Sequence, residues 1–461
     1  GAGVAGLAAA RAFLRDGVDE LRVLELEDRP GGNSRGHAMA GMPCPLGAHY
    51  LPLPGPNAPE VAELLAELGL TTQRFGRTVY DERHLCHSPQ ERLFIDGEWV
   101  EGVLPPAAPG SSTLAQYRRF GAEVARAMTV LGFAMPTLRA RWTPAHAALD
   151  AIPFAAWLDA RGLVDPRLRW YLDYVCRDDY GAAADEVSAW AGLHYFGSRR
   201  GFHAPGDADE VAEPVLTWPE GNAWLTDRLA SPLGDRLLAG RTVLRVRAER
   251  HGVEVLAFDE RVGRLESWRA DLVVLALPLF VAARIVESPS AALRATAALP
   301  HAPWLVANLQ LDQPPVDRPG LPSAWDSVIF GGTALGYVDA GHQSLRPDRR
   351  ATVLTSYEAW PVGSRAELLH SSPEDAARHV LAQLAPAHPD LPRRVQRIDL
   401  MRHGHGMAIP RPGVRTSAAN GALAALRRER GRLRHAHADL AGYSVFEEAF
   451  TLGLGVARPP A

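Results

Sequence analysis

The chain opens with Gly1-Ala2-Gly3-Val4-Ala5-Gly6 and continues into Leu7-Ala8-Ala9-Ala10-Arg11-Ala12-Phe13-Leu14, a segment with the apolar spacing of a helix. In a Gly-x-Gly-x-x-Gly turn the first glycine allows a tight bend, and the second lets the backbone approach a pyrophosphate. The third glycine permits close packing of the helix on a strand. The helix N-terminus also favours an anion. These features predict a phosphate-binding turn formed by Gly1, Gly3, Val4, Ala5 and Gly6.

A carboxylate follows at the spacing that such a turn requires. Residues 21–24 predict a short strand that ends at Glu25, 19 residues after Gly6. A carboxylate at this position accepts hydrogen bonds from ribose hydroxyls, although a solvated acid at a strand end is the alternative interpretation. We also expect a central strand immediately before Gly1, so that the chain is a fragment. Any targeting segment would lie upstream of residue 1.

Bulk composition excludes several classes of protein. The 461 residues carry 49 basic and 53 acidic side chains, a net charge of −4, which argues against a nucleic-acid partner. The longest apolar run, residues 272–283, is interrupted by Pro278 and is shorter than the ~20 residues of a membrane span. Every basic side chain is arginine, and genome base composition is the simplest explanation. Without lysine, Schiff-base chemistry and pyridoxal phosphate anchoring are excluded.

The residues after Glu25 resemble the second flavin fingerprint of the flavin-containing amine oxidase superfamily. This superfamily includes amine oxidases, phytoene-desaturase-like enzymes and protoporphyrinogen-oxidase-like enzymes. The similar stretch is Leu26-Glu27-Asp28-Arg29-Pro30-Gly31-Gly32-Asn33-Ser34-Arg35, followed by Gly47-Ala48-His49-Tyr50. The resemblance implies that FAD is the cofactor. It also implies that Gly31, Gly32 and Arg35 lie along the pyrophosphate and ribityl chain, and that Gly47 and Ala48 pass near the flavin ring.

Further segments carry the same resemblance to the C-terminus. They are Trp218-Pro219-Glu220-Gly221-Asn222, Arg241-Thr242-Val243-Leu244-Arg245-Val246, Ala270-Asp271-Leu272-Val273-Val274-Leu275-Ala276-Leu277-Pro278, and the closing segment His437-Ala438-Asp439-Leu440-Ala441-Gly442-Tyr443-Ser444-Val445-Phe446. The resemblance implies that Val243 offers its backbone to the adenine and that Asp439 touches the ribityl chain. It also implies that a helix starting near Ser444 and Val445 directs N–H groups at the flavin.

The distribution of these motifs predicts an α/β fold. A discontinuous Rossmann-like FAD-binding domain would comprise residues 1–75, 205–295 and 395–461. An α+β substrate-binding domain would comprise residues 76–204 and 296–394. Helices are predicted at 167–175 and 187–196, and strands at 304–311 and 352–357.

The substrate pocket is the least defined part of the sequence. Dense aromatic residues and two adjacent acids in 167–196 suit a pocket wall that holds a cation. An ordinary buried helix pair with an Arg177–Asp178 ion pair is the alternative. Asp326 and His342 could also face the pocket. The candidate pocket residues are His49, Asp178, Tyr180, Tyr337, His405 and Tyr443.

Two His-x-His pairs raise the alternative of a metal site. His403 and His405 form one pair, and His435 and His437 form the other. Residues i and i+2 share one face of a strand, so each pair could grip a metal. The pairs have no defined spacing to a carboxylate and fall in flavin-like segments, so we expect no bound metal.

The resemblance implies two-electron oxidation of a substrate C–H bond by hydride transfer to flavin N5, as in an amine oxidase. A desaturase of an apolar polyene, a nicotinamide dehydrogenase and a non-enzymatic binding module on the same scaffold are alternatives. Many family members place a lysine near flavin N5, and its absence leaves the electron acceptor undefined. We expect a small-molecule substrate, either an amine or an apolar compound, no nucleic acid, a possible homodimer and a cytoplasmic location.

Overall fold

The computed structural model describes residues 1–207, 214–344, 351–416 and 418–457. In these ranges the helices are α1 (Val4–Arg15), α2 (Pro59–Glu67), α3 (Ser112–Leu131), α4 (Pro144–Asp150), α5 (Phe154–Asp159), α6 (Pro166–Tyr180), α7 (Ala189–Gly197), α8 (Ala223–Ala230), α9 (Leu279–Ile285), α10 (Ala291–Thr296), α11 (Arg365–His370), α12 (Pro373–Leu384), α13 (Leu391–Arg394), α14 (Ala418–Arg428) and α15 (Phe446–Gly455).

The strands of the same ranges are β1 (Val23–Glu25), β2 (Gly36–Met39), β3 (Met42–Pro45), β4 (Tyr50–Pro52), β5 (Thr71–Arg74), β6 (Arg77–Tyr80), β7 (Glu91–Ile95), β8 (Glu98–Glu101), β9 (Val215–Thr217), β10 (Leu237–Ala239), β11 (Arg241–Glu249), β12 (Gly252–Asp259), β13 (Arg264–Ala270), β14 (Val273–Leu275), β15 (His301–Leu311), β16 (Asp326–Ile329), β17 (Tyr337–Asp339), β18 (Thr352–Ala359), β19 (Val395–Ala408) and β20 (Leu433–His435). The predicted α/β class is confirmed.

Two parallel strand pairs flank the start of the chain. β1 pairs with β10, and β14 pairs with β20, both in parallel. The backbone N–H of Ala2 donates to the carboxylate of Glu25 at the end of β1. On the other side, a Cβ placed on Gly1 would lie 2.7 Å from the carbonyl oxygen of Ala276, just after β14. The predicted glycine turn therefore lies at the carboxyl ends of both pairs.

Small residues allow α1 to pack on backbone rather than on side chains. A Cβ on Gly6 would overlap the carbonyl oxygen of Gly1, which accounts for the third glycine of the motif. On another face of α1, a Cβ on Gly453 of α15 would overlap the carbonyl oxygen of Ala5. It would also lie 2.7 Å from the Cβ of Ala8. The two helices thus cross at a distance that only glycine and alanine permit.

A seven-stranded sheet covers the other half of the molecule, in the order β19-β15-β18-β17-β16-β7-β8. Its pairs are antiparallel except for the parallel pair β16–β7. The predicted strands at 304–311 and 352–357 are confirmed within β15 and β18. β19 carries residues that the sequence grouped with the FAD-binding segments, yet it pairs with β15. The division into domains stays a prediction, and this pairing favours a last boundary near residue 409.

Alternation along the strands buries both faces of this sheet. On β15, Val306 joins an apolar cluster that also contains Leu172 of α6 and Trp190 of α7. Its neighbour Leu305 joins a second cluster with Leu384 of α12. The sheet is therefore the middle layer between α3–α7 on one side and α11–α13 on the other.

The helical layer contains both of the helices that the sequence predicts at 167–175 and 187–196. α6 begins after Asp165, whose side chain accepts hydrogen bonds from the N–H groups of Arg167 and Leu168. It ends at Gly181, which has φ 68° and so adopts the left-handed conformation typical of a helix C-terminus. Among the described residues, no helix is both long enough and apolar enough to cross a bilayer.

The contact between α1 and α15 predicts that an added methyl group destabilises the fold at one position of α15 and not at another. We expect Gly453→Ala to lower the free energy of unfolding by about 1–3 kcal/mol, since the added Cβ meets backbone atoms that cannot rotate away. Urea denaturation followed by circular dichroism measures this loss.

Gly455→Ala is the matched control on the same helix, because a Cβ there meets no atom within 4 Å. We expect the control to be neutral or stabilising by up to about 1 kcal/mol. Equal losses in both variants would contradict the packing described for α1 and α15.

Candidate active site

Two glycine loops meet through their backbones at the N-terminus of α1. The N–H of Gly31 donates to the carbonyl oxygen of Ala2 at 2.8 Å, and Gly31 forms a parallel bridge with Gly3. A Cβ on Gly32 would lie 3.2 Å from the Cα of Gly3. Gly31 and Gly32 have φ of 124° and 56°, conformations that side chains disfavour. The two predicted fingerprints are thus parts of one surface.

The space above Gly3 fits an anionic group. A Cβ on Gly3 would meet only the Cα of Gly32, at 3.8 Å, so the near side of this loop is open. Gly3 is the N-cap of α1 and provides no side chain to bind the first N–H groups, which include those of Val4 and Ala5. Open space beside unpaired helix N–H groups is what a pyrophosphate requires.

Glu25 and Arg35 hold the loops in shape. Glu25 is buried and accepts hydrogen bonds from the N–H groups of Ala2 and Glu27, the latter at 3.0 Å. Arg35 forms an ion pair with Glu27 at 2.7 Å and donates to the carbonyl oxygen of Gly32 at 3.1 Å. Both side chains lie where the sequence places them, and their contacts with a cofactor stay predictions.

Residues 47–50 continue this surface toward the large sheet. A Cβ on Gly47 would overlap the carbonyl oxygen of Asn33, and the N–H of Ala48 donates to that same oxygen at 2.8 Å. Ala48 is exposed, so a ligand can reach this turn. Val243 packs in one apolar cluster with Leu24, beside the first parallel strand pair. Gly47 and Ala48 therefore adjoin the second glycine loop, and their contacts with a cofactor stay predictions.

Asp439 connects the closing segment to two other parts of the chain. Its side chain is fully buried and accepts hydrogen bonds from the N–H of Leu279 at 2.9 Å and from His301 at 3.0 Å. Burial alone would raise the pKa of Asp439, but the neighbouring His437 and His301 outweigh it and lower the pKa. These contacts leave further lone pairs on the carboxylate, and its contact with a ribityl chain stays a prediction. Asp439 joins the closing segment to α9 and β15.

The helix predicted to start near Ser444 and Val445 is present as α15, which begins at Phe446. Ser444 accepts a hydrogen bond from the N–H of Ala408 at 2.9 Å through its hydroxyl oxygen. Val445 is the N-cap of α15 and contributes no side-chain hydrogen bond to it. Both residues keep accessible surface, whereas Tyr443 before them is buried. The helix therefore presents unpaired N–H groups next to Val445.

Acidic and aromatic side chains gather between α6 and the large sheet. Tyr171, Tyr174 and Asp178 occur at i, i+3 and i+7 on α6, so they share one face of the helix. Glu91 and Asp326 are direct partners in the parallel pairing of β7 with β16. Asp178 and Asp326 are half-buried. Asp326 is the register partner of Val338, whose apolar cluster includes Leu172 of α6, so Asp326 lies on the side of the sheet that faces α6. We infer that these side chains line an internal space, which we call the cavity.

Aromatic residues complete the wall of this cavity and connect it to the glycine loops. His49 stacks on Tyr357 with 4.3 Å between the ring centroids, and its ring lies 5.6 Å from that of Trp325. The hydroxyl of Tyr357 donates to the carbonyl oxygen of Gly47 at 3.0 Å. Burial lowers the pKa of His49 to about 4, so this ring is neutral. The cavity thus adjoins the turn that leads to the cofactor loops.

The carboxylates raise one another's affinity for protons. Burial raises the pKa of Asp178 to about 7, and the charges of Asp179 and Glu91 add to the effect, while Arg199 opposes it. Burial also raises the pKa of Asp326, with further contributions from Glu91 and Asp178. A group of acids in this state gains stability when a cation enters among them.

A separate ion pair supports this wall from behind. Asp179 is buried and pairs with Arg199 at 2.9 Å, and it also accepts the hydroxyl hydrogen of Tyr443 at 2.7 Å. Arg199 in turn lies over the ring of Tyr195, 4.3 Å from its centroid. Consecutive helical residues point about 100° apart, so Asp178 faces the cavity while Asp179 faces this pair. The Arg177–Asp178 ion pair considered from the sequence is wrong, because Arg177 pairs with Asp173 at 2.9 Å.

Four predicted pocket residues lie elsewhere. Tyr180 is buried and its hydroxyl donates to the carbonyl oxygen of Ala191, and Tyr443 is bound to Asp179. Tyr337 faces the opposite side of the sheet, because its neighbour Val338 occupies the cavity side. His405 packs against Phe280 with ring centroids 4.2 Å apart. Of the six candidates, His49 and Asp178 line the cavity.

The histidine pairs do not converge on one point. His403 contacts the carbonyl oxygen of Leu46 at 2.8 Å, and His435 lies 3.3 Å from Glu429. Within the described ranges, no group of three or more histidine, cysteine, aspartate or glutamate residues is placed to hold a metal ion. His342, another pocket candidate from the sequence, packs near His87.

The sequence indicated the aromatic segment 167–196 as a pocket wall, which includes Tyr171, Tyr174 and Tyr195, but did not single these residues out. The residues that sequence reasoning missed are Tyr50, Glu91, Trp325 and Tyr357. The i, i+3, i+7 spacing of Tyr171, Tyr174 and Asp178 was a usable signal, since it places two tyrosines and an acid on one helical face. Glu91 gave no signal, because its neighbour Asp326 lies more than 200 residues away in sequence.

The parallel strand pairs, the joined glycine loops and the covering sheet define a dinucleotide-binding protein of the Rossmann type with a second layer of sheet and helices. The chain belongs to the flavin-containing amine oxidoreductase family, whose model matches residues 4–458. The open space at Gly3, the unpaired N–H groups of α1 and the path along Gly31, Gly32, Gly47 and Ala48 fit FAD, the predicted cofactor.

Relatives of known name belong to several branches. The flavin-containing monoamine oxidase AofH of Mycobacterium tuberculosis is 29% identical over 60% of this chain and 56% of its own length. Coproporphyrinogen III oxidase of Mycobacterium bovis is 33% identical over 62% of this chain and 60% of its own length. The chain thus matches less than two thirds of these relatives. A putrescine oxidase structure with bound putrescine has a TM-score of 0.70 and 19% identity, covering 99% of this chain and 96% of that one.

The open side of Gly3 predicts a variant that folds but does not hold the cofactor. We expect Gly3→Ala to keep the unfolding temperature of the cofactor-free protein, because the added Cβ makes only an ordinary contact at 3.8 Å. We expect its affinity for FAD to fall at least about tenfold, since the methyl group takes space beside the helix N–H groups. Fluorescence titration with FAD measures the affinity.

Gly55→Ala is the control for this variant, because a Cβ at Gly55 meets no atom within 4 Å. An FAD affinity of Gly3→Ala equal to that of the control would contradict the placement of the pyrophosphate.

The buried Asp179–Arg199 pair predicts that replacing only one partner greatly lowers the free energy of unfolding. Arg199→Leu leaves the Asp179 carboxylate without its cation, so we expect the free energy of unfolding to fall by about 3–5 kcal/mol. Arg126→Ala, which removes a surface pair with Glu123, is the control and should cost less than about 1 kcal/mol. Urea denaturation of both variants provides the comparison, and similar small losses would contradict a structural role for Arg199.

Proposed function

We propose that this protein is an FAD-dependent oxidoreductase that oxidises an amine held in the cavity beneath α6. The observation that carries the proposal is the placement of this cavity. Carboxylates and tyrosines line it, and the His49–Tyr357 contact joins it to the turn at Gly47, which continues to the glycine loops. A site for a cation thus adjoins a site for a flavin.

The cavity residues perform binding and orientation. When bound, FAD supplies the two-electron acceptor for a C–H bond next to nitrogen. The tyrosine rings of the wall attract a cation through their faces, and the carboxylates attract it through charge. His49 is neutral, so it adds no positive charge that would repel an amine. The bound ammonium must lose one N–H proton, to a wall carboxylate or to water, before the adjacent C–H bond can be oxidised.

The lining of the cavity also distinguishes this function from the alternatives. An apolar polyene would bury the carboxylates of Asp178 and Asp326 without a partner, which is unfavourable. The names of the relatives do not decide the question by themselves, because a monoamine oxidase, a coproporphyrinogen oxidase and a putrescine oxidase share the family or the fold. The acidic and aromatic wall favours the amine-oxidising relatives.

The electron acceptor must be tested separately from amine oxidation. The chain contains no lysine, and the family resemblance associates a lysine near the flavin with rapid reaction with oxygen. An assay that depends on oxygen consumption would therefore not distinguish slow oxidation of the amine from slow reaction of the reduced flavin with oxygen. Anaerobic reduction of the bound flavin reports the amine step alone.

We expect the purified protein to be yellow, or to become yellow on reconstitution with FAD. We expect anaerobic addition of a primary amine to bleach the visible flavin absorbance, because a substrate C–H bond then gives its two electrons to the cofactor. Stopped-flow absorbance measures the rate, and the alcohol with the same carbon skeleton is the control that should leave the spectrum unchanged.

Two outcomes would overturn parts of the proposal. A colourless preparation that cannot be reconstituted with FAD would contradict the flavoenzyme assignment. A yellow protein that is reduced by a porphyrinogen and by none of a panel of mono-, di- and polyamines would contradict amine oxidation while leaving FAD binding intact.

A further inference from the structure

We infer that Glu447 and Glu448, buried in the first turn of α15, bind a proton when the FAD of this protein is reduced, so that the reduction potential of the cofactor depends on their charge. We call these two residues the first-turn acids. The inference rests on the FAD binding of the proposed function, and it does not depend on which substrate is oxidised.

The first-turn acids lie at the end of α15 that is predicted to face the cofactor. Val445 is the N-cap of this helix, so Glu447 and Glu448 are its second and third residues. Both therefore lie within about 5 Å of the helix N-terminus along the axis. A carboxylate in this position opposes the partial positive charge that a helix N-terminus directs at an anion. The charge of the first-turn acids thus acts on the same space as the unpaired N–H groups beside Val445.

The carboxyl of Glu448 is buried with one of its two oxygens unsatisfied. Glu448 is 0% exposed and Glu447 is 5% exposed. The Oε1 atom of Glu448 accepts a hydrogen bond from the backbone N–H of Thr137. Its Oε2 atom has no hydrogen-bond partner among the described residues. An ionised oxygen without a donor is unfavourable in the interior, and a bound proton removes the charge of the group.

A cation is held beside Glu448 without pairing with it directly. Arg415 donates from Nη1 to the hydroxyl oxygen of Thr137 at 3.0 Å and to the carbonyl oxygen of Ala441 at 3.2 Å. Its guanidinium also lies over the ring of Trp190, 4.4 Å from the centroid. These contacts fix Arg415 one residue away from the carboxyl of Glu448. The arginine therefore makes a negative charge on Glu448 less costly but does not lock it in place.

Other charged groups act on the first-turn acids from neighbouring elements. Burial is the largest cause of the shifts, and it raises the pKa of both residues, that of Glu447 to about 7. α1 and α2 also pack on α15, but they do so through an apolar cluster that contains Phe446 and Phe450. The charged side chains that act on the pair are Asp179 of α6, Arg199 after α7, Arg415 before α14 and Arg427 of α14.

Reduction and protonation are coupled through charge. Two electrons from a reductant add negative charge at the cofactor, and this raises the affinity of a nearby carboxylate for a proton. The carboxylate takes that proton from water and becomes a neutral carboxylic acid, so the step needs no further oxidant or reductant. Conversely, ionised first-turn acids disfavour the added electrons. The reduction potential should therefore fall more steeply with rising pH over the range in which these acids lose their protons.

The test is a redox titration of the holoenzyme against a reference dye, with the Glu447→Gln/Glu448→Gln double variant beside the parent. At about pH 9, above the raised pKa of Glu447, we expect the ratio of reduced to oxidised FAD at equal dye potential to be at least about tenfold higher in the double variant. Tenfold corresponds to about 30 mV for a two-electron couple. At about pH 5, below that pKa, the two proteins should agree within about twofold.

Glu374→Gln is the matched control. Glu374 is the second residue of α12, the same helix position as Glu447, and it is exposed. This variant removes the same charge from the first turn of a different helix, so we expect it to follow the parent at both pH values. A thermal unfolding curve for each holoenzyme verifies that the proteins compared are folded.

Infrared difference spectroscopy of the parent gives a second measurement that needs no folded variant. We expect the carbonyl band of a carboxylic acid to gain intensity when the bound FAD is reduced with dithionite at about pH 7, near the raised pKa of Glu447. The double variant should lack this gain.

The absence of a gain in the parent would overturn the inference, and so would equal potentials of parent and double variant at about pH 9. Both measurements use a chemical reductant and no amine. A yellow protein that shows the expected pH dependence but oxidises no amine would therefore contradict only the proposed amine oxidation. A protein that binds no FAD would overturn both.

Discussion

Backbone contact around α1 is the constraint on which the cofactor half of the molecule depends. Gly6 lies against the carbonyl oxygen of Gly1, Gly32 lies against Gly3, and Gly453 of α15 lies against Ala5. Any larger residue at these points would separate α1 from three different parts of the chain at once. Because α15 packs directly on α1, the segment that precedes it is also fixed, including the start of α15 at Val445. The phosphate-binding turn and the closing segment are therefore one packing unit, although more than 400 residues separate them.

The cavity half depends on a second geometric fact, the angle between consecutive helical side chains. Asp178 and Asp179 are adjacent in sequence, yet one faces the cavity and the other is buried against Arg199 and Tyr443. The buried pair holds α6 against α7 and the closing segment, and this keeps Asp178 turned toward the strands. Structural and ligand-facing carboxylates thus occupy the same helical turn.

The sequence was sufficient for the cofactor loops because their signals are local. Spaced glycines, an acid after a strand and small residues on a helix lie within a few dozen residues and have steric causes. The cavity was only partly predictable, since strand register brings Glu91 next to Asp326 and no short pattern reports it. Tyr337 was wrongly predicted to line the pocket for a similar reason, because alternation alone does not tell which face of a strand is turned to the ligand. Asp439 lies where the motif places it, and its hydrogen bonds with His301 and Leu279 could not be predicted because these residues come from distant segments.

The parallel pairing of β7 with β16 has an evolutionary consequence. Two of the three carboxylates are set by the first residue of each strand, far from the glycine loops in sequence. Mutations at these two strand starts can alter the charge of the cavity without changing any residue that shapes the phosphate-binding turn. The charge of the cavity is thereby set by residues other than those that shape the cofactor loops. A lineage built on this scaffold can diversify in what it consumes while inheriting an unchanged redox centre.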